Sequence, residues 1–256
     1  NRKKIQKLYP SFVPRGRGGD LQNYLKITNL TINNIFPSIN NLLKKKLIIE
    51  NIEDIKLNDL QQNLSEDLKR SFNLFGSDKS FNNYHLIYSQ ILENREKKFK
   101  IIEIGIGSNS KNVLGSTIGD LNIPGGSLRA FKDVFLNSQI YGADIDDQIL
   151  FEEDRIFTTK LDQLSLDSFE ELKITYGGNF DLIIDDGLHS VLANINTINY
   201  AIFQLKNGGY IVIEDVHEDC LPVWEALSNT IKDKIFSLNL YKIKDQIFTI
   251  KMRKIL

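Results

Sequence analysis

The sequence is poor in the residues that stabilise exported or membrane-bound proteins. Its 256 residues include a single cysteine, Cys220, so the chain cannot close an internal disulfide. No apolar run approaches the roughly 18 residues that a membrane-spanning helix needs. The first residues, Asn-Arg-Lys-Lys, lack both an initiator Met and the apolar core of an export signal, which indicates a trimmed start. We therefore expect a soluble, cytoplasmic protein without stable membrane insertion.

An excess of charge of either sign is also missing. Lys and Arg number 32 against 33 Asp and Glu, which gives a formal net charge of -1. A chain without a net positive field is not drawn generally to nucleic acid or to anionic membranes, so we expect no nucleic-acid partner. With 41% hydrophobic residues, the chain can bury a full core as one large domain, or as a domain with a cap.

The residue composition and hydrophobic pattern of the chain change near residue 70. Residues 3–17 are basic and carry two prolines, and residues 15–19 read Arg-Gly-Arg-Gly-Gly, which is typical of an exposed arm. Contact of this arm with a phosphate-bearing substrate or a neighbouring subunit is the alternative. Residues 42–55 and 57–75 have partial helical spacing and predict short helices. We predict an N-terminal arm and helical cap over residues 1–70 and a second domain over residues 71–256.

From residue 99 onward, short apolar segments alternate with amphipathic segments. Continuous apolar strands separated by amphipathic helices predict a parallel sheet covered on both faces. Two final apolar segments, 236–243 and 247–252, flank a short polar turn and predict an antiparallel hairpin. The other predicted strands are 100–106, 139–145, 156–161, 180–185 and 209–214, and the predicted helices in this part are 82–96, 127–135, 168–174 and 190–204.

This pattern predicts an α/β fold of Rossmann-like type. The sheet is mostly parallel, has seven strands and ends in an antiparallel hairpin, which is the architecture of class I methyltransferases. The first predicted strand ends in Gly105 and Gly107, which allow backbone to approach a ligand closely, although any tight strand-to-helix turn uses such glycines. Ser110 replaces the third glycine of the dinucleotide fingerprint, which disfavours a nicotinamide or flavin cofactor.

Hydrogen-bonding residues also end the next two predicted strands. Asp144 can accept both hydroxyls of a ribose, and the pair Asp162-Gln163 can bind an adenine amino group. Each of these residues is equally suited to capping a turn. Because three successive strands end this way at one edge of the sheet, the pattern favours a nucleoside ligand. S-adenosylmethionine, with its cationic sulfonium, suits an acid-lined site without a phosphate-binding loop.

The densest group of reactive side chains follows two apolar strands. Asp185, Asp186 and His189 follow the strand at 180–185, and Glu214-Asp215 end the strand at 209–214. Parallel strands present their carboxyl ends along one edge, so these groups are expected to form one acidic pocket. Adjacent carboxylates repel each other unless a cation lies between them, and oxygen ligands favour Mg²⁺ or Mn²⁺ over Zn²⁺.

Plain structural roles compete with this interpretation. Asp185 and Asp186 are each suited to capping the following turn or helix, and His189 can be an ordinary first-turn residue. His217 is a second imidazole near the acids and therefore a rival general base. We rank His189 above it.

Taken in order, the motifs of this chain resemble a known family. EIGIG, GGSLRAFKD, YGADI, DLIIDDGLHS and GGYIVIED, preceded by FGSDK with Tyr84 and Tyr88, are similar to the metal-dependent sugar O-methyltransferases of the macrocin and mycinamicin antibiotic-tailoring type. The resemblance covers about residues 72–216. Its most specific part is the DDGLH segment together with IED, since EIGIG occurs throughout class I methyltransferases.

The resemblance implies a role for individual residues. His189 falls on the general base of the family. Asn82 stands where relatives often have His, and the first 70 residues have no counterpart, so the resemblance leaves substrate choice open. The implied metal ligands are Asp186, Glu214 and Asp215, and the implied cofactor-binding residues are Glu103, Gly105, Gly107, Ser127, Asp144, Asp162, Gln163 and Asp185.

The function implied is that of an S-adenosylmethionine-dependent O-methyltransferase that uses Mg²⁺ or Mn²⁺ and acts on a sugar hydroxyl. A bacterial capsular or other surface polysaccharide, or its nucleotide-sugar precursor, is the candidate acceptor. The alternatives are methylation of a small catechol-like diol metabolite, and a non-catalytic nucleoside-binding protein. A homo-oligomer is expected by analogy with relatives.

Overall fold

The computed structural model describes residues 35–43, 47–110, 123–231 and 235–255, together with residues 32 and 113. The basic arm predicted over residues 3–17 lies outside these ranges. The helices are α1 (Phe36–Leu43), α2 (Asp59–Leu74), α3 (Tyr84–Leu92), α4 (Gly126–Val134), α5 (Leu166–Tyr176), α6 (Val191–Gln204) and α7 (Leu221–Ile231). The strands are β1 (Ile49–Asn51), β2 (Lys100–Ile104), β3 (Gln139–Asp144), β4 (Glu152–Glu153), β5 (Ile156–Lys160), β6 (Phe180–Asp185), β7 (Leu205–His217), β8 (Phe236–Lys244) and β9 (Ile247–Lys254).

The described strands form one mixed sheet in the order β1-β8-β9-β7-β6-β2-β3-β5-β4. Strands β5, β3, β2, β6 and β7 pair in parallel, whereas β9 runs antiparallel to both β7 and β8. The predicted parallel sheet with a terminal hairpin is confirmed. The predicted count of seven strands is corrected to nine, because the short strands β1 and β4 each extend one edge of the sheet.

The central strands are mostly apolar, as expected for strands buried on both faces. Neighbouring side chains on a strand point to opposite faces, so Ile102 contributes to one hydrophobic core and Ile101 to the other. The same alternation separates Ile183 from Leu182 on β6. This double burial fixes the register of β2 and β6 and thereby fixes where their carboxyl ends emerge.

Helix α2 begins at a complete capping box. The side chain of Asn58 accepts the backbone N–H of Gln61, while the side chain of Gln61 accepts the backbone N–H of Asn58. The helix predicted at 57–75 is therefore confirmed. The helix predicted at 42–55 is wrong, since residues 49–54 form β1 and a short 3-10 helix instead. Strand β1 has only three residues, which are too few for a sequence pattern to distinguish a strand from a helical turn.

Helices α2, α3 and α4 pack together over the sheet. Phe131 makes edge-to-face contacts with Phe72 and Tyr88, with ring centroids 5.3 and 5.2 Å apart. The predicted boundary at residue 70 falls inside α2, and Leu64 and Leu68 on its N-terminal side are buried in the core that also contains Ile101. This packing holds α3 beside the carboxyl end of β7, where α3 reaches the candidate site.

No helix within the described ranges is long and apolar enough to span a lipid bilayer.

The buried His85 on α3 generates a prediction about the pH dependence of stability. Its Nδ1 lies 2.7 Å from the hydroxyl of Ser65, and burial, with the nearby charge of Lys69, lowers the pKa of His85 to about 4. An unfolded chain binds that proton near pH 6.5, so the contribution of neutral His85 to the free energy of unfolding is lost as the pH falls from about 6.5 towards 4.

We expect the His85→Gln variant, which does not titrate there, to lose less stability than the wild type over this pH range. Urea unfolding of both proteins at pH 7.5 and pH 4.5 measures the difference. An equal loss in both proteins would show that His85 is not the group responsible.

Candidate active site

A cavity of about 500 Å³ opens at the carboxyl ends of β2, β3, β5, β6 and β7. Among the described residues, seven aspartates and a single lysine line it, which makes its surface strongly acidic. The predicted site residues that line the cavity are Gly105, Gly107, Ser127, Asp144, Asp162, Gln163, Asp186, His189 and Asp215. The strand-end argument therefore brings most of the predicted residues together.

The turn after β2 fixes one end of the cavity. Gly105 has a φ of 87°, and a Cβ added there would overlap the backbone carbonyl of Asp186. The backbone N–H of Asp186 in turn donates to the carbonyl of Ile104 at 2.8 Å. The glycine thus brings the turns after β2 and β6 into backbone contact, so Gly105 serves this packing directly.

Asp144 is held at the end of β3 by the backbone of two turns. Its Oδ2 accepts the N–H of Ile106 at 2.9 Å and its Oδ1 accepts the N–H of Asp146 at 3.0 Å. Burial raises the pKa of Asp144, although these hydrogen bonds oppose the change. The carboxylate is therefore fixed on the cavity wall, with the lone pairs that these two hydrogen bonds leave available for a ligand's hydroxyls.

Two predicted cofactor residues lie behind the cavity wall instead of on it. Asp185 is fully buried and accepts hydrogen bonds from Gln163 Nε2 at 2.9 Å and from Asn194 Nδ2 at 3.1 Å. Glu103 is also fully buried, and its Oε2 accepts the hydroxyl of Ser127. Both acids hold side chains that line the cavity, so any effect they have on a ligand acts through Gln163 and Ser127.

Three side chains on the cavity wall form a group suited to a metal ion. Asp186, His189 and Asp215 each offer one ligand atom, and these atoms all lie within 4.8 Å of one another. Oxygen donors dominate the group, which fits a hard divalent cation such as Mg²⁺ or Mn²⁺. His217, the rival base, instead pairs with Asp219 at 3.4 Å and does not line the cavity.

A bulge in β7 brings the side chain of Asp215 to the same side of the sheet as that of Glu214. In a regular strand, Glu214 and Asp215 would point to opposite faces of the sheet. The register between β7 and β9 shifts between Ile213 and Val216, and Asp215 adopts a left-handed φ of 50°. His189 has the same φ of 50°. Such values are rare outside glycine and concentrate at functional sites.

Glu214, the third predicted metal ligand, is bound by protein groups. Its Oε2 lies 2.5 Å from the ammonium of Lys79, and its Oε1 accepts the hydroxyl of Tyr88. Glu214 is 1% exposed, and burial raises its pKa well above the ordinary value in spite of the attraction of Lys79. Glu214 is therefore adjacent to the group of Asp186, His189 and Asp215, and it is not one of the residues whose ligand atoms converge.

Lys79 is the functional residue that sequence reasoning missed. Its Nζ lies 3.0 Å from Glu103, 2.7 Å from Asp186 and 2.5 Å from Glu214, so one ammonium bridges the ends of three neighbouring strands. Burial works against its charge, but the carboxylates outweigh burial and hold the pKa of Lys79 well above its ordinary value. The FGSDK segment was the available signal, because it precedes the first strand of the predicted domain.

The carboxylate that Lys79 shares with the open group is Asp186. One of its oxygens, Oδ2, contacts Lys79, while Oδ1 lies 3.9 Å from His189 Nε2. Burial raises the pKa of Asp186 to about 7, with Lys79 and His189 opposing the shift. Asp186 thus connects a closed internal ion pair to the open end of the cavity.

We predict that Lys79→Met destabilises the protein by about 3 kcal/mol, because it leaves buried carboxylates without their counter-ion. Urea unfolding at pH 7.5 measures the loss. Lys251→Met is the matched control, since Lys251 is 8% exposed and donates to the neutral amide of Gln90. Equal losses in the two variants would mean that burial of the alkyl chain, and not the ion pairs, accounts for the effect.

The fold is the class I methyltransferase fold. A solved structure of MycE methyltransferase, from the mycinamycin biosynthetic pathway and in complex with Mg and SAH, superposes with a TM-score of 0.58 at 23% sequence identity. The superposition covers 73% of this chain and 55% of that one. No protein-family model matches the chain.

The sequence relatives are sugar O-methyltransferases, which confirms the resemblance. Demethylmacrocin O-methyltransferase of Streptomyces fradiae is 36% identical over 151 residues, which are 59% of this chain and 35% of that protein. Mycinamicin VI 2''-O-methyltransferase of Micromonospora griseorubida is 37% identical over 123 residues, which are 48% of this chain and 28% of that protein. The chain spans about a third of the length of these curated relatives.

Proposed function

We propose that this protein is an S-adenosylmethionine-dependent, divalent-metal-dependent O-methyltransferase that acts on a sugar hydroxyl. The observation that carries the proposal is the convergence of Asp186, His189 and Asp215 on the wall of an acidic cavity that Asp144 and Gln163 also line. The curated relatives support the same chemistry, since all are named as O-methyltransferases and three of the names carry a rhamnosyl or an olivosyl group.

The cofactor is proposed to lie between the strand ends. Asp144 is placed to accept ribose hydroxyls, and Asp162 and Gln163 are placed to accept or donate at an adenine edge. The cavity favours a cationic ligand, because its aspartates outnumber its one lysine and that lysine is held by three carboxylates. The sulfonium of S-adenosylmethionine supplies an electrophilic methyl group and carries the positive charge that such a surface stabilises.

Asp186 and Asp215 are proposed as metal ligands. Both belong to the ligand set that the sequence implies and to the group of converging side chains in the structure. Glu214, the third ligand implied by the sequence, binds the ion if it exchanges the ammonium of Lys79 for it. His189 already lies within the observed group of Asp186 and Asp215. A bound Mg²⁺ or Mn²⁺ supplies Lewis acidity that makes a sugar hydroxyl easier to deprotonate. The two aspartates would hold the ion on the wall of the cavity that Asp144 and Gln163 also line.

His189 is proposed as the general base. Its imidazole is partly exposed on the cavity wall, and its Nε2 lies 3.9 Å from Asp186 Oδ1. In this role the imidazole accepts the hydroxyl proton as the oxygen bonds to the methyl carbon, and the nearby carboxylate stabilises the resulting imidazolium. The leaving sulfur takes the electron pair of the broken C–S bond.

The acceptor is proposed to be a bacterial surface polysaccharide or its nucleotide-sugar precursor. The motifs that the chain shares with the family lie at about residues 72–216, which leaves residues 1–70 to serve an acceptor different from theirs. A small vicinal diol metabolite is the second candidate, because two adjacent hydroxyls chelate a metal ion in the same way.

A methyl-transfer screen tests the reaction class. Sugar nucleotides, capsular oligosaccharides and simple diols are offered with labelled S-adenosylmethionine, with Mn²⁺ or with excess chelator. We expect transfer to a sugar hydroxyl only when metal is present, and we expect Asp186→Ala and Asp215→Ala to stay inactive when metal is restored. Undiminished transfer in chelator would remove the metal from the proposal, and cofactor binding without any transfer would favour a non-catalytic nucleoside-binding protein.

A second test addresses the base. His189→Ala is expected to lower methyl transfer by a factor of about 100 or more, because a positioned base contributes on that order, while SAH still binds as in the wild type. His217→Ala is the matched control and is expected to retain activity, since His217 does not line the cavity. The assignment is reversed if His217→Ala carries the loss, and it fails if His189→Ala no longer binds SAH.

A further inference from the structure

Helix α3 carries two tyrosines whose hydroxyls end on the adjacent carboxylates of β7. Tyr84 and Tyr88 are one helical turn apart, so both side chains lie on the same face of α3. Each residue is 1% exposed or less. Tyr84 contacts Asp215, and Tyr88 contacts Glu214. None of the proposed chemistry uses these hydroxyls.

Tyr84 binds both polar ends of Asp215. Its hydroxyl donates to Asp215 Oδ1 at 2.9 Å and accepts the backbone N–H of Asp215 at 3.1 Å. The first bond fixes the carboxylate rotamer, and the second satisfies an N–H that the bulge in β7 removes from the ladder with β9. A left-handed backbone is unfavourable for a non-glycine residue, and these two bonds offset that cost.

Tyr88 acts in the same way on Glu214. Its hydroxyl donates to Oε1, while Lys79 occupies Oε2, so both oxygens of this buried carboxylate have a partner. Burial raises the pKa of Tyr88 and of Tyr84, and the neighbouring carboxylates raise both further, so the phenols remain donors at neutral pH. A protonated phenol carries no negative charge, so it does not repel the carboxylate to which it donates.

We propose that Tyr84 is a positioning residue that presets Asp215 for a divalent cation without binding the cation itself, and that Tyr88 positions Glu214 in the same way for the exchange of Lys79 for the ion. The identity of the cation rests on the proposed function. The hydroxyl of Tyr84 is already engaged in both directions by Asp215, so it orients that ligand and leaves the open side of the carboxylate towards Asp186 and His189.

The test is Mn²⁺ binding to the metal-free full chain, followed by electron paramagnetic resonance. Tyr84→Phe removes only the hydroxyl and is expected to weaken Mn²⁺ binding about 10-fold, the equivalent of one net hydrogen bond. Tyr88→Phe is expected to weaken it in the same direction. Tyr200→Phe is the matched control and is expected to leave the affinity unchanged, because the buried Tyr200 hydroxyl has no hydrogen-bond partner among the described residues.

A double-mutant cycle shows whether Tyr84 acts through Asp215. If it does, the loss of Mn²⁺ affinity in the Tyr84→Phe/Asp215→Asn double variant equals that of Asp215→Asn alone. Additive losses would overturn the proposal, because they indicate a general structural effect. SAH binding, measured by calorimetry, reports whether each variant is folded, and Tyr88→Phe with Glu214→Gln provides the second cycle if Tyr84→Phe does not fold.

The outcomes separate this proposal from the proposed function. A wild-type protein that binds SAH and Mn²⁺, with Tyr84→Phe and Tyr88→Phe binding Mn²⁺ equally well, overturns the positioning role alone. A wild-type protein that binds no Mn²⁺ overturns the metal-dependent function, and the positioning role with it. Weakened Mn²⁺ binding with intact SAH binding in both tyrosine variants supports the positioning role.

Discussion

The ion cluster around Lys79 is the interaction on which the rest of the site depends. One ammonium, 2% exposed, lies between carboxylates from the ends of β2, β6 and β7. Two buried acids and a partly exposed third, so close together, would repel each other and take up protons without a cation. The overall charge of the chain is nearly zero, so this local balance, and not a global field, determines what the cavity can bind.

The cluster also joins the parts of the cavity wall into one unit. Glu103 accepts the hydroxyl of Ser127 with one oxygen and contacts Lys79 with the other, while Asp186 shares Lys79 with the group formed by Asp186, His189 and Asp215. The backbone contact between Gly105 and Asp186 joins the same two strand ends. A ligand on one part of the wall therefore contacts a framework that the other parts also use.

The sequence predicted the fold well where periodicity is strong. The apolar runs of β2, β3 and β6 and the terminal hairpin are confirmed, because continuous burial leaves an unambiguous pattern. The strand β1 was not predicted, because three exposed residues carry no pattern of their own. The helix predicted at 82–96 begins later, at Tyr84, because Asn83 has a left-handed φ of 58°.

The candidate site was predictable in its location and less so in its contacts. Strand ends of a parallel sheet meet at one edge, so the motifs after β2, β3, β6 and β7 located the cavity. The edge is also reached from the segment before the first strand of the predicted domain, by Lys79, Tyr84 and Tyr88. Their contacts at the ends of β6 and β7 join residues more than 100 positions apart, and no rule of sequence spacing predicts such contacts. The bulge at Asp215 was equally hidden, since it arises from pairing with β9.

The hydrogen bond from Tyr84 to Asp215 joins residues 131 positions apart in the chain. Contacts at such separations form only after the intervening loop has been closed, at an entropic cost that delays them during folding. Asp215 can meet Tyr84 only once β7 has joined the sheet. A chain interrupted before β7 therefore keeps two phenols with no β7 carboxylates to orient.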